Sequence, residues 1–246
     1  MIITYNEERN LERCLASIKD IADEIIIVDS FSTDGTVAVA RSYNARITEQ
    51  AFAGYGEQKN FATTLASNDW ILSLDADEEV TPALAQSIQQ IKRSSGHYAY
   101  QMPRLTNYCG KWIKHCGWYP DLQTRLYDRT KGRWEEKSVH EYWRLNDSSG
   151  KKGKINGDIL HYSFPTINDH LKKIEKYSEL AARGAVAGGR SSSLLQIWLS
   201  PVWHFFTEYI IRLGFLDGFY GYVICRLSAY AAFIKYAKIR RYSKGA

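Results

Sequence analysis

The chain has 246 residues, of which 45% are hydrophobic and 24% are charged. This composition is typical of a globular protein and excludes a mainly disordered chain. The formal net charge of +5 is unevenly placed, because residues 190–246 hold eight Lys and Arg side chains against Glu208 and Asp217. The remainder of the chain is close to neutral, so the basic face that nucleic-acid binding requires is not expected.

The sequence indicates neither a zinc site nor a secretory signal. The four cysteines, Cys14, Cys109, Cys116 and Cys225, lack the paired spacing of a zinc ribbon or finger, so we expect reduced thiols. The first residues turn acidic at Glu7 without the apolar stretch of a signal peptide. We therefore expect the main domain to stay in the cytoplasm.

Strands and helices alternate through the first hundred residues. Short apolar runs predict four strands, in MIIT, DEIIIVDS, ARIT and WILSLDA. Helices are predicted between them, at about residues 8–19, in TVAVARSY and in EQKNFATTLA. A further helix follows, with Thr81 as its N-cap and Pro82 at its first position. The short spacing favours a mostly parallel sheet covered by helices on both faces.

After Gly96 the pattern changes to strands separated by polar loops. Strands are predicted in HYAYQMPRL, LQTRLYD and GDILHYSF. A helix then begins near residue 167, with either Thr166 or Asn168 as its cap. Residues 191–242 are apolar and aromatic, with few charges.

Polar residues follow three of the predicted parallel strands. They are residues 4–7, Asp29, and the pair Asp75 and Asp77. Ligands of open parallel sheets bind beyond the carboxyl ends of the strands. Residues two apart in an extended segment face the same way, so both aspartates can face one Mg²⁺ or Mn²⁺ ion. The alternative is a solvated strand end, with Glu78 and Glu79 as acidic residues at a helix start.

Four stretches, IITYNEERNLERCLASI, DEIIIVDSFSTDGT, GEQKNFA and WILSLDADEEVTPAL, resemble the donor half of family 2 glycosyltransferases with the GT-A fold. The later stretches GWYPDLQTRLYDR, VHEYW, LHYSF and FLDGFYGYVICRLSAY resemble more narrowly the bacterial lipopolysaccharide core glucosyltransferases. The resemblance implies an α/β GT-A domain with a helical, membrane-associated C-terminal appendage. Its three segments would be residues 1–100 for the donor, 101–190 for the acceptor and closing helix, and 191–246 for the membrane.

The resemblance also implies a UDP-sugar site. The substrate-binding candidates are Thr4, Tyr5, Glu7, Asp29, Lys59, Asn60, Asp75, Trp118 and Arg125. Asp29 would take the uracil edge, and Asp75 would face the ribose and the metal. Trp118 would stack on an acceptor sugar, although core packing explains this side chain equally well.

The implied cofactor is Mg²⁺ or Mn²⁺, with Asp77 as its direct ligand beside Asp75. Some GT-A enzymes complete the metal site with a late histidine, which here would be His161. An apolar and aromatic flank makes a core histidine the alternative interpretation of this residue.

The implied reaction is a single inverting displacement by an acceptor hydroxyl, which needs a general base. Glu141 is the first candidate for that base and Asp121 the second. For each, a surface carboxylate or an ion-pair partner is the alternative interpretation.

The expected substrates are UDP-glucose and a lipopolysaccharide core or other lipid-linked glycan. The basic, aromatic tail suits helices that lie on an anionic membrane, at the inner face of the cytoplasmic membrane. The alternative for the tail is a helical hairpin packed on the main domain. Alternatives for the whole chain are a glycosyltransferase of another envelope polysaccharide and a non-catalytic nucleotide-sugar binding protein.

Overall fold

The computed structural model describes residues 1–137, 140–147, 150 and 152–244. The chain forms two compact units. Unit 1 comprises Met1–Arg104 and Asp121–Tyr162, and unit 2 comprises Leu105–Pro120 and Ser163–Ala246. The expected division into donor, acceptor and membrane segments is a division by function, and it stays a prediction.

Unit 1 begins with the predicted alternation of strands and helices. Its elements are β1 (Ile2–Thr4), α1 (Glu8–Ile18), β2 (Ile26–Asp29), α2 (Thr36–Ser42), β3 (Arg46–Glu49), α3 (Tyr55–Thr64), β4 (Trp70–Leu72), β5 (Leu74–Asp75), β6 (Glu78–Val80) and α4 (Pro82–Arg93). Four of these strands form a parallel sheet in the order β3-β2-β1-β5. The expected α/β architecture is confirmed.

Helical periodicity explains how α1 packs. Its buried residues Leu11, Cys14, Leu15 and Ile18 follow the spacing of one helix face. They join the largest core cluster, which also contains the strand residues Ile2, Ile27 and Leu74. The helix α4 begins as predicted. The Thr81 side chain accepts a hydrogen bond from the Leu84 amide, and Pro82 is the first residue of the helix.

The run WILSLDA forms two strands where the sequence predicts one. The amide of Ser73 donates to the carbonyl of Arg125, and the next amide, of Leu74, donates to the carbonyl of Met1. The chain therefore leaves one sheet at β4 and enters the parallel sheet at β5. This transfer between sheets places Asp75 at the end of β5.

The second sheet has seven strands and is mainly antiparallel. The later strands of the chain are β7 (Ala99–Tyr108), β8 (Lys111–Ile113), β9 (Asp121–Asp128), β10 (Gly132–Lys137), β11 (His140–Leu145), β12 (Lys152–Lys154) and β13 (Ile159–Phe164). The sheet order is β4-β9-β7-β13-β6, with β8 and β12 also paired to β7. The strands β10 and β11 form a separate antiparallel hairpin, which the sequence analysis did not predict.

The hairpin is held by aromatic packing and by α3. Trp134 and Trp143 are buried, and the Trp143 ring stacks on Tyr127 with centroids 4.9 Å apart. The Asn60 side chain, on α3, donates to the carbonyl of Trp134 and accepts from its amide, both at 2.9 Å. One amide side chain therefore satisfies two backbone groups of β10.

Unit 2 contains the remaining helices. They are α5 (Ile167–Ala187), α6 (Leu194–Phe206) and α7 (Gly218–Ser243), with a π-helical turn at Thr207–Ile211 and a 3₁₀ turn at Gly214–Asp217. Thr166 is the N-cap of α5 and forms a capping box with Asp169, which decides between the two predicted caps. Both α5 and α6 pack on α7. Among the helices of the described residues, none has the length and apolar character to cross a membrane.

The role of Asn60 in holding the hairpin is testable by mutation. Asn60→Ala leaves the amide and carbonyl of Trp134 without their side-chain partners, so we expect the free energy of unfolding to fall by about 1–3 kcal/mol. Urea denaturation measures this change. Asn68→Ala is the control, since Asn68 is exposed and its side chain donates only a 3.3 Å bond to Glu24. Equal losses in the two variants would contradict the proposed role.

Candidate active site

The polar ends of three parallel strands lie at one edge of the first sheet. Thr4 is in register with Asp29, and Ile3 is in register with Asp75. Because β1, β2 and β5 run parallel, their carboxyl ends lie at the same edge. The structure thus brings together the donor-site candidates that the sequence places at separate positions.

Asp29 is fully buried and hydrogen-bonded at this edge. Its carboxylate accepts bonds from the Thr4 hydroxyl at 2.8 Å, the Ser32 amide at 2.7 Å and the Ser32 hydroxyl at 2.6 Å. These bonds fix the loop after β2 to the end of β1. The uracil contact of Asp29 stays a prediction, and it requires part of this carboxylate to become accessible.

Exposed aromatic rings follow the strand ends. Tyr5 comes after β1, Phe31 after β2, and Phe52 after β3, with Tyr55 at the start of α3. The rings of Phe52 and Tyr55 meet edge to face with centroids 5.0 Å apart. Such rings are suited to stacking on a planar base. Of these four residues, the sequence analysis named only Tyr5 as a candidate for substrate binding. The position of the other three shortly after predicted strands was a signal that could have found them.

Glu7 lies where negative charge accumulates. Burial raises the pKa of its carboxyl group, and the nearby carboxylates of Asp77, Asp34 and Asp75 raise it further, against a bond from the Asn10 side chain. This end of the sheet therefore has a local excess of negative charge, which favours the binding of a cation.

Lys59 is a fully buried cation between two candidate site residues. Its Nζ lies 3.0 Å from Asp75 Oδ1 and 3.0 Å from Glu141 Oε1. The same ammonium group lies 4.6 Å from the ring centroid of Trp134. A buried ammonium group needs such partners, so Lys59 holds Asp75 of the parallel sheet and Glu141 of the hairpin against each other.

The pairing continues on the far side of Asp75. Arg125 is buried, and its Nη2 pairs with the Asp75 carboxylate and lies 2.6 Å from Glu78 Oε1. Arg104 Nη1 lies 3.2 Å from the same oxygen of Glu78, and Arg104 Nη2 lies 2.7 Å from Asp121 Oδ2. The seven side chains, which we call the ion chain, alternate in charge in the order Glu141, Lys59, Asp75, Arg125, Glu78, Arg104 and Asp121.

Four carboxylates lie close together within residues 75–79, and the ion chain explains how two of them, Asp75 and Glu78, are stabilised. Burial alone would raise the pKa of Asp75, but Arg125 and Lys59 outweigh it and hold that pKa below its usual range. Glu78, fully buried in β6, pairs with Arg104 and Arg125, and it also accepts a bond from the Asp75 amide at 3.0 Å. Glu78 is therefore a strand residue with two arginine partners, and the alternative interpretation as an acidic helix start is wrong for it.

The other two carboxylates face β13. Asp77 Oδ2 lies 3.2 Å from His161 Nε2, and the Glu79 carboxylate accepts a 2.7 Å bond from the Tyr162 hydroxyl. The Tyr162 amide donates to the Asp77 carbonyl, which fixes β13 against this turn. Asp77 and His161, 84 residues apart in sequence, are thus neighbours, as the expected metal site requires.

The described residues contain no group of three or more His, Cys, Asp and Glu side chains arranged to hold a metal ion. The pair Asp77 and His161 nevertheless fits an ion that takes its other ligands from a diphosphate and water, as Mg²⁺ commonly does. The buried Nδ1 of His161 has no protein hydrogen-bond partner. The structure therefore offers two of the predicted metal ligands, while Asp75 is already held by Arg125 and Lys59.

Two further candidates have structural partners. The Asn60 amide is used on the backbone of Trp134, and its predicted nucleotide contact stays a prediction. Trp118 lies in unit 2, where its ring packs against Tyr108, Phe164 and His170. These contacts agree with the alternative interpretation, in which Trp118 packs in a core. Its stacking on an acceptor sugar stays a prediction.

Comparison with known proteins identifies the family of this chain. Residues 1–146 match the model described as glycosyl transferase family 2. The lipopolysaccharide core biosynthesis glycosyltransferase LpsC of Rhizobium meliloti is 31% identical over 258 residues, which cover 97% of this chain and 90% of LpsC. The chain belongs to glycosyltransferase family 2. A relative from Rickettsia bellii, named as an uncharacterized glycosyltransferase, is 35% identical over 98% of this chain and 85% of its own length.

A solved structure supports the GT-A fold of this family 2 glycosyltransferase. The mannosyltransferase of Pyrobaculum calidifontis, solved in complex with GDP-mannose and Mn²⁺, aligns with a TM-score of 0.51. The alignment covers 100% of this chain and 74% of the mannosyltransferase at 15% identity. At that identity the likeness shows the fold and says nothing of the donor.

The shared pairing of Lys59 gives a stability prediction. Lys59→Met leaves Glu141 without a cation and Asp75 with Arg125 alone, so we expect a loss of about 2–3 kcal/mol in the free energy of unfolding. Chemical denaturation measures the loss. Lys92→Met is the control, because Lys92 pairs with Asp23 at the exposed surface and should change stability by about 1 kcal/mol or less. A Lys59 variant as stable as the Lys92 variant would show that the ion chain does not hold the site together.

Proposed function

We propose that this family 2 enzyme transfers a hexose from a UDP-sugar, with UDP-glucose as the preferred donor, to a lipopolysaccharide core or other lipid-linked glycan. The single observation that supports this proposal best is that Lys59 joins the donor-side carboxylate of Asp75 to the carboxylate of Glu141. The relation to LpsC, a lipopolysaccharide core glycosyltransferase, supports the acceptor class.

The donor would bind at the carboxyl edge of the parallel sheet. The uracil would lie near Asp29 and the exposed ring of Tyr5, with Thr4 and Glu7 lining the pocket. Asp75, held by Lys59 and Arg125, would face the ribose. Because its two cationic partners fix this carboxylate, it would offer the ribose hydroxyl groups a hydrogen-bond acceptor of defined orientation.

Asp77 and His161 would hold Mg²⁺ or Mn²⁺. When bound, the ion offsets the negative charge that develops on the departing UDP. The chain's own part is to place a carboxylate and an imidazole side by side in a region of negative charge, where Glu7 and Asp75 also lie.

Glu141 would act as the general base. Lys59 contacts Oε1 of Glu141, so we assign Oε2 as the oxygen that takes the proton of the acceptor hydroxyl. The acceptor oxygen forms its bond to the anomeric carbon while the bond from that carbon to the diphosphate breaks, which inverts the configuration. Lys59 would keep the carboxylate oriented during this step. Asp121, which pairs with Arg104 at the other end of the ion chain, is the second candidate base.

We propose that the enzyme works at the inner face of the cytoplasmic membrane, bound peripherally through its C-terminal segment. The net charge of residues 190–246, eight basic against two acidic side chains, favours attraction to anionic lipid. A lipid-linked acceptor would then be presented in the plane of the membrane where the enzyme is bound.

The metal role of Asp77 predicts a selective loss of activity. Asp77→Asn keeps the shape of the side chain but removes the charge that would hold the ion, so transfer should fall below detection while the melting temperature stays close to that of the parent. Release of UDP from UDP-glucose in the presence of Mn²⁺ measures transfer. Asp69→Asn, in an exposed ion pair with Arg129, is the control and should keep its activity. Near-parental activity of the Asp77 variant would refute the metal role.

The base role of Glu141 predicts a separation of turnover from donor binding. Glu141→Gln still offers an oxygen to Lys59 but cannot take a proton, so kcat should fall about 10²-fold or more. The Kd for UDP should barely change, because the base contacts the acceptor hydroxyl and not the nucleotide. Steady-state kinetics and calorimetric titration with UDP measure the two quantities. A parallel loss of UDP binding would make Glu141 structural, and Asp121→Asn would then be the variant to assay.

A further inference from the structure

The helix α6 exposes an apolar half to solvent. Its exposed large apolar residues are Leu194, Leu195, Trp198, Leu199, Val202, Trp203 and Phe206. At 100° per residue these positions span one continuous half of the helix surface. No charged residue occurs within Leu194–Phe206, so nothing interrupts this surface, which we call the α6 face.

The opposite half of α6 is already covered within unit 2. Ile197 is its buried residue, and α6 packs on α7. At the edge of the α6 face, beside Leu194 in angle around the helix, the Phe205 ring meets the Tyr222 ring of α7 edge to face, at a centroid distance of 6.0 Å. The helix is therefore anchored to its own unit by one half, and the α6 face is a second apolar surface in addition to the one that folding buries.

Exposed apolar residues continue after the helix. They are Ile210, Ile211, Leu213, Phe215, Leu216 and Phe219. Leu213 has a φ of +54°, a left-handed backbone conformation that is unfavourable for a leucine. The fold thus accepts local strain in a turn whose leucine stays exposed. Apolar exposure on this scale, in one stretch of chain, is typical of a surface that binds something.

The charges around this stretch indicate what it binds. The two acidic residues of the segment turn inward. Asp217 is buried and accepts bonds from the amide and ring of His115, and burial raises the pKa of Glu208. The cations Arg212 and Arg226 are exposed, and Arg226 lies over the Phe205 ring at 5.7 Å. The outward surface of the stretch is therefore apolar and cationic.

We infer that the α6 face inserts, parallel to the membrane plane, into the interfacial region of a bilayer that contains anionic lipid. Trp198 and Trp203, 72% and 63% exposed, provide the indole rings that favour this region. Arginines beside the apolar surface are placed to contact lipid phosphates. The inference deepens the proposed peripheral location and rests on it, because it names the surface that makes the contact.

Flotation of the full chain with vesicles tests the inference. The probes are vesicles of phosphatidylcholine alone and vesicles of phosphatidylcholine mixed with the anionic lipid phosphatidylglycerol, whose negative surface attracts basic segments. The parent protein should float with the anionic vesicles, and high salt should reduce its binding without abolishing it. Trp198→Glu combined with Val202→Glu should lower the bound fraction at least about tenfold. Leu180→Glu, at an exposed apolar position of α5, is the matched control and should float like the parent.

Light scattering without vesicles and UDP release in detergent complete the experiment. The parent and both variants should have the same mass in solution and the same UDP release. If the double variant floats like the parent, the inference that the α6 face contacts the membrane is wrong, and the proposed peripheral location still stands. A parent that does not float, and forms a dimer that the double variant dissociates, overturns the lipid inference and makes a second copy the occupant. Absence of UDP release in all proteins, with flotation as expected, refutes the proposed transfer and leaves the α6 face supported.

Discussion

The buried ammonium group of Lys59 is the interaction on which the arrangement of the site depends. It joins Asp75, the last residue of β5, to Glu141 of the hairpin, which is 82 residues away from Lys59 in sequence. The fully buried cation needs these two carboxylates as charge partners, and both carboxylates remain partly exposed to solvent. Aromatic packing supports the same junction, because Trp134 lies beside the ammonium group and is bound at its backbone by the neighbouring Asn60.

The ion chain gives the crowded carboxylates of residues 75–79 two different roles. Asp75 and Glu78 are held by cations of the protein itself, so their charge is offset before any ligand arrives. Asp77 instead pairs with His161, the second residue that we propose as a metal ligand. The negative charge of Asp77, which helps to raise the pKa of Glu7, thus remains for a metal ion to offset. This division of roles is the physical basis of the proposed donor site.

Local pattern predicted the parallel half of the fold well. The apolar spacing of α1 and the cap at Thr81 are signals contained in a few consecutive residues, and the structure confirms both. The break at Ser73 was missed because one small polar residue within an apolar run does not reveal that the two halves join different sheets. The hairpin was missed because the charged residues around Trp134 hide the two-residue period of its strands.

The partners within the site were the least predictable part. The sequence offered Asp75, Lys59 and Glu141 as separate candidates, and nothing in their spacing indicates that they meet. Glu78 and Arg104 were not candidates at all, since their pairing is created by strand order and not by neighbouring sequence. Long-range ion pairs of this kind follow from the fold, so the polar residues at the strand ends could be predicted from the sequence while their ion-pair partners could not.

Calorimetric titration with Mn²⁺ and UDP, separately and together, tests the central claim most directly. If the protein's own cations hold Asp75, the proposed ligands that are left for a metal ion are Asp77 and His161. The account predicts weak binding of Mn²⁺ alone, and binding of UDP that is at least about tenfold tighter with Mn²⁺ than with a chelator. Tight binding of Mn²⁺ without UDP, or equal affinity for UDP with and without the ion, would contradict it.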